Sequence, residues 1–207
     1  MTKVFSRNRI ILKIIIGMCS VFMALVGSAC NFSSKEEQTE ITILKDGSVR
    51  MQIIESFDKP YYNQEELQQK ILAEVASYNR NAESGNISVE KIEVEEQRAK
   101  VVMGYASCED YARFNKSTLF VGNVAEAQEA GYDLNTVLSR IENQAETIGM
   151  SDMLLMTDYM VLITDCKDSV IIDGKAAYIS DNVTVSKNKK TISLVQDTDK
   201  PAYVLFQ

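Results

Sequence analysis

The stretch ITILKDGSVRMQIIESF, Ile41 to Phe57, decides the fold. Two β-rich runs flank Lys45-Asp46-Gly47-Ser48. An Asp-Gly pair is the strongest short hairpin signal, because both residues tolerate the positive φ that tight hairpin turns need. Ile41, Ile43, Val49, Met51 and Ile53 fall on one side of the two strands. Alternation of this kind gives an antiparallel pair one buried face and one wet face. Pro60, in DKPYYN, ends the run, since proline cannot donate to a ladder.

Downstream, Asn63 is a helix N-cap, with Glu66 three residues on in capping-box position. Leu67, Ile71, Val75 and Tyr78 then recur at i, i+4, i+8 and i+11, the stripe of an amphipathic helix from about Gln64 to Tyr78. ISVEKIEVEEQ and RAKVVMGYAS read as a second antiparallel pair, with acids on the outer face of the first strand. Ser107 caps a short helix, CEDYARFN, that buries Tyr111 and Phe114. The opening order is therefore ββαββα. VAEAQEAG has helical propensity and a Gly131 stop, within a stretch that is otherwise ambiguous. MSDMLLMTDYMVLITD starts as a turn or short helix and becomes a strand at 159–164. SVIIDGKAAYIS reads as another Asp-Gly hairpin at Asp173-Gly174, NVTVSKNKKTISLV as a further hairpin, and PAYVLFQ as a closing strand. The expected class is α+β: an antiparallel sheet, an amphipathic helix on one face and a β-rich C-terminal part, with a subdomain over 159–207 left open.

The N-terminus carries a different message. Lys3, Arg7 and Arg9 precede an apolar run whose uninterrupted part is 14–26. That is shorter than the roughly 20 residues a spanning helix needs and fits a signal peptide; an uncleaved anchor is the alternative. Gly27, Ser28 and Ala29 are small, and Cys30 follows at once. VGSAC resembles the lipobox of bacterial lipoproteins, departing from it at Gly27, where an aliphatic residue is preferred. The resemblance implies cleavage before Cys30 and diacylation of its thiol, and two acyl chains anchor stably where one is marginal. The organisation expected is a signal peptide over 1–29, a flexible tether over 30–40 and an extracytoplasmic domain over 41–207. Asn31 follows Cys30, so the Asp that often retains Gram-negative lipoproteins on the inner membrane is missing.

Charge supports an outward-facing surface. The first 29 residues hold four of the 22 bases and none of the 29 acids, leaving the rest at a formal charge of −11. That balance argues against nucleic acid and against a polybasic grip on anionic lipid. The chain has no His and no Trp, so the commonest general base and metal ligand is missing. Of four cysteines, Cys19 lies in the signal and Cys30 carries lipid, leaving Cys108 and Cys166 as a disulfide or as two thiols.

KDGSVRMQIIESFDKPYY, ELQQKILAEVASYN, CEDYARFN, LFVGNVAEAQEAGYDL and AAYISDNVTVSKNKKTISLV resemble uncharacterised lipoproteins of anaerobic Firmicutes over nearly the whole mature chain. The opening ββαββα part is also similar to LppM-type lipoprotein domains. The resemblance implies a Gram-positive, lipid-anchored protein and supplies no catalytic motif to carry over.

No pattern of residues declares chemistry. Met150, Met153, Met156 and Met160 recur at helical spacing, either as core or as an adaptable peptide-binding surface. Asp165, Cys166 and Asp168 in TDCKD form either a metal corner or a solvated turn. Glu90, Glu93, Glu95 and Glu96 lack the glycine-bearing loop of a calcium site. There is no nucleophile elbow, P-loop or dinucleotide fingerprint. No cofactor and no metal are expected. The reading is a non-catalytic surface module binding a protein, a peptide or an envelope component, with Tyr61, Tyr62 and the region 122–132 as candidate surface. The alternative is a small hydrolase using carboxylates, which need no fixed spacing.

Overall fold

The computed structural model describes residues 37–81, 86–195 and 200–207, so Cys30 and the segment before it lie outside the described residues. The opening order is the expected ββαββα. β1 (Glu40–Ile43) and β2 (Val49–Ser56) pair in antiparallel register, with Ile43 opposite Val49. α1 (Gln64–Asn81) follows, with Asn63 Oδ1 accepting the Glu66 N–H at 3.0 Å. β3 (Ile87–Glu95) and β4 (Arg98–Tyr105) form the second pair, and β4 also pairs with β2. α2 (Cys108–Asn115) is capped by Ser107, whose Oγ accepts the Asp110 N–H at 3.1 Å.

The first turn departs from expectation in detail. Only Gly47 has positive φ, at 82°, while Asp46 does not. The turn is therefore wider than a two-residue one. Leu44 N–H donates to Ser48 O, Gly47 N–H to Leu44 O, and Asp46 Oδ1 accepts from both the N–H and the hydroxyl of Ser48.

The remaining elements are β5 (Leu119–Asn123), α3 (Val124–Glu129), β6 (Leu138–Arg140), β7 (Asn143–Ile148), α4 (Met150–Leu155), β8 (Met160–Thr164), β9 (Ser169–Ile171), β10 (Ala176–Ile179), β11 (Val183–Val185), β12 (Thr191–Leu194) and β13 (Ala202–Phe206). They do not form a unit of their own. β9, β12 and β11 extend the first sheet, in the order β11-β12-β9-β1-β2-β4-β3, with β1 and β9 parallel. The others make a second sheet, β5-β8-β13-β10-β6-β7. A β-rich subdomain over 159–207 is thus corrected, because its strands are divided between both sheets.

The same division corrects the second hairpin. β9 and β10 lie in different sheets and do not pair; the chain crosses between them at Asp173-Gly174. Gly174 serves close packing there, since a Cβ on it would come within 2.7 Å of Gln207 O and of the Phe206 ring.

Two cores explain the layering. In the first, Ile41, Met51, Ile53, Val101 and Met103 from the sheet meet Leu67, Ile71 and Val75 from α1. Leu162 of β8 and Val204 of β13 reach the same core. Their neighbours Val161, Ile163 and Leu205 point the other way, into a second core with Val124 and Ala127 of α3 and Met153 of α4. β8 and β13 are therefore buried on both faces, which is why MVLIT and AYVLF read as continuous apolar runs rather than alternating ones.

Candidate functional site

One largely apolar recess is a cleft of about 800 Å³, within the size range of small-ligand sites. It opens where the end of β1 and its turn approach α2 and β5. Ile43 and Leu44 form one wall, Leu119, Phe120 and Val121 another. Tyr132, Met160 and Phe206 complete the apolar lining. Ile43, Leu119 and Phe206 are buried, whereas Leu44 and Met160 stand 42% and 38% exposed at the mouth. Phe120 and Tyr132 stack at a tilt, their ring centres 4.9 Å apart. Burial raises the Tyr132 hydroxyl above its ordinary pKa, consistent with a poorly solvated wall.

Three charged side chains border the cleft: Lys45 in the first turn, Glu109 on α2 and Asp173 at the crossing. Glu109 is held by Arg113 at 2.6 Å, a surface i,i+4 pair. All three stand exposed to solvent.

Cys108 also lines the cleft. Burial pushes its thiol up to about 11, and the Val121 backbone N–H donates towards it. A thiol held neutral in this way is a poor nucleophile. It caps the outer edge of β5, which α2 covers. Cys166 is buried among the Tyr111 hydroxyl, the Ser117 hydroxyl and the Thr118 carbonyl, at 3.6–3.9 Å, and burial raises its pKa as well. The disulfide left open by the sequence is unformed: both cysteines are free thiols with separate partners.

The other sequence candidates separate. TDCKD is a packed connector and not a solvated turn: Asp165 Oδ1 accepts the Thr118 N–H at 2.7 Å, and Cys166 and Asp168 are buried. Among the described residues no group of three or more Cys, Asp or Glu could hold a metal ion. Glu90 pairs with Arg50 at 2.8 Å and Glu93 with Lys91 at 2.6 Å on the wet face of the first sheet. Of the methionines, Met153 is in the second core, Met150 and Met156 pack at its margin, and Met160 reaches the cleft mouth. Tyr61 is 49% exposed and meets Tyr62 edge-on, but neither lines the cleft. The region 122–132 contributes Ala130 and Tyr132. The walls from β1 and β13 were missed by sequence reasoning, because they converge only through the parallel β1–β9 pairing and the crossing at Gly174.

A second recess, of about 740 Å³, has a mixed lining in which polar side chains are numerous. Its buried groups are committed: Ser180 Oγ donates to Asn182 Oδ1, and Asn182 Nδ2 donates to the carbonyls of Lys200 and Pro201.

No helix among the described residues is long and apolar enough to cross a membrane. No family model, curated protein or solved structure matches this chain.

Proposed function

We propose that this protein is a non-catalytic binding module, anchored by lipid on Cys30 to the outer face of a bacterial cell membrane, whose cleft takes a ligand with an apolar body. The carrying observation is the cleft itself: a recess of ligand size, apolar over most of its wall, with Leu44 and Met160 exposed at its mouth. Exposed apolar side chains beside a ready-made recess are what a binding site costs a soluble surface.

The tether supports the same reading. Glu37 follows Cys30 by seven positions, a reach of at most about 25 Å. Glu37 pairs with Lys100, and the Thr39 hydroxyl bonds to Ile54, so the chain enters along β2 and β4. The cleft lies at the other end of β1, and an anchor at Cys30 therefore leaves it facing outward.

The hydrolase alternative calls for a desolvated carboxylate in the cleft. Glu109 and Asp173 are both exposed there. The carboxylates of Asp46, Glu93 and Glu142 are displaced downward, by hydrogen bonds from Ser48, Lys91 and Lys189 respectively, and none of them lines the cleft.

The test uses residues 31–207, which contain every described element and both cores. A neutral apolar dye, N-phenyl-1-naphthylamine, should bind saturably at one site. Leu44→Arg and Met160→Arg should each abolish that binding without lowering the melting temperature. Dye uptake indifferent to both changes would remove the cleft from the reading. For the anchor, Cys30→Ala in cells should move the chain out of the membrane fraction; continued membrane association without acylation would indicate an uncleaved anchor instead.

A further inference from the structure

We propose, resting on the cleft as the binding site, that its ligand is an α-amino acid with a large apolar side chain. The walls themselves exclude one class of ligand. β1 lies between β9 and β2, and β13 between β8 and β10, so both have their backbone groups committed on each side. β5 has one free edge, but α2 packs against that strand. No strand lining the cleft can accept an added strand, so a long extended peptide has no ladder to join. A compact ligand, recognised by side chains, is what remains.

The charges at the rim specify its polar end. Lys45 and Asp173 leave the first sheet at the same end of the parallel β1–β9 pair, whose last matched residues are Thr42 and Ile171. Neither makes an ion pair or a side-chain hydrogen bond among the described residues, whereas Glu109 is already held by Arg113. Both backbones are fixed. The Lys45 turn is tied by Asp46 to Ser48, and Asp173 precedes Gly174, which packs directly against Gln207. A cation and an anion with no partner among the described residues therefore both border one apolar recess.

A simple anion would gain from Lys45 and lose to Asp173, and a simple cation the reverse. A ligand whose carboxylate and ammonium sit on one carbon satisfies both, and its side chain then enters between Leu44, Phe120 and Met160. A charge pair of this kind confers selectivity more than raw affinity.

The experiment is calorimetric titration of residues 31–207 with phenylalanine, phenethylamine and 3-phenylpropionate. Phenylalanine should bind most tightly, and loss of either charged group should weaken binding about fivefold, the upper range for an exposed ion pair. Lys45→Gln should erase the preference over phenethylamine alone, and Asp173→Asn the preference over 3-phenylpropionate alone. High salt should compress both preferences. If the three compounds bind equally, or phenylalanine fails to displace N-phenyl-1-naphthylamine, the amino-acid assignment falls while the apolar cleft stands. If the dye itself does not bind, both fall together.

Discussion

The two sheets of this protein are built from opposite kinds of information. The β1-β2-β4-β3 part of the first sheet is assembled from two hairpins close in sequence and covered by a helix whose stripe is regular. In the second sheet, β6–β7 is the only neighbouring pair consecutive in sequence; β5 waits for β8, and β8 for β13. The first alternates and has a wet face, whereas β8 and β13 of the second are buried on both faces. This contrast bears on where a ligand site can arise. Local pairs complete themselves; the cleft forms where a local hairpin end meets strands that arrive from far along the chain.

The strongest challenge to this comparison is cooperativity. Ile71→Ala on α1 and Ile163→Ala on β8 each remove a side chain that is 0% exposed, from the first and second core respectively. Each should destabilise by about 2–5 kcal/mol, as expected for truncating a large buried aliphatic residue. Because Leu162 and Val204 belong to the first core while their strand neighbours belong to the second, both variants should lower one and the same denaturant transition. Two resolved transitions, each sensitive to one variant, would make the sheets independent units. A cost of only a few tenths for Ile71→Ala would place that helix face in solvent.

The same contrast explains what was legible in the sequence. The ββαββα opening, the Asn63 and Ser107 caps, the α1 stripe and the β11–β12 hairpin are all short-range patterns, and all are present. Asp173-Gly174 was misread because an Asp-Gly pair signals a turn locally, whereas this glycine is needed for the approach of Gln207 from the far end of the chain. β5 and β6 lie in the ambiguous stretch 119–142, and β7, just beyond it, carries no strand signal: β5 and β6 are short, and β7 is exposed along most of its length without alternation. Of the cleft, only Ala130 and Tyr132 lie in the 122–132 region that the sequence marks as candidate surface, and only Met160 in its methionine stripe.

A second test falls on the boundary between the halves. Cys108 sits on α2 against β5, and burial raises its thiol from an ordinary value near 9 to about 11. In the unfolded chain the thiol loses its proton from pH 9 upward, while the folded chain keeps it until about pH 11. The unfolded state therefore binds fewer protons in that window, and stability falls as pH rises through it. Below pH 9 the contribution is constant. The difference in unfolding free energy between the parent and Cys108→Ala should shrink by about 2–3 kcal/mol between pH 8 and 11. A pH-independent difference would mean that the thiol is solvated and that the α2–β5 contact is looser than described.

A smaller effect sharpens the account of the first sheet. The β3–β4 turn places Glu96 and Gln97 at φ of 48° and 61°, a left-handed conformation that side chains disfavour. The eight-residue pairing of those strands imposes it without an Asn-Gly or Asp-Gly signal. Gln97→Gly should therefore stabilise the chain by about 1 kcal/mol in denaturant titration. A loss of stability instead would show that Gln97 makes contacts outweighing its backbone strain.

The smallest expected effect on stability separates site from scaffold. Leu44 lies one residue beyond β1, at 42% exposure, beside the buried Ile43. In a strand-and-turn that served only the fold, exposing an apolar side chain there gains nothing. Leu44→Ala should change unfolding free energy by less than about 0.5 kcal/mol, as for surface positions away from packed features. The same change should weaken binding of N-phenyl-1-naphthylamine severalfold, because the wall it removes belongs to the cleft mouth. If the variant instead loses stability and keeps its affinity for the dye, Leu44 is part of the hairpin's own packing. The cleft would then be bounded by the second sheet alone, and the local hairpin would have no share in the site.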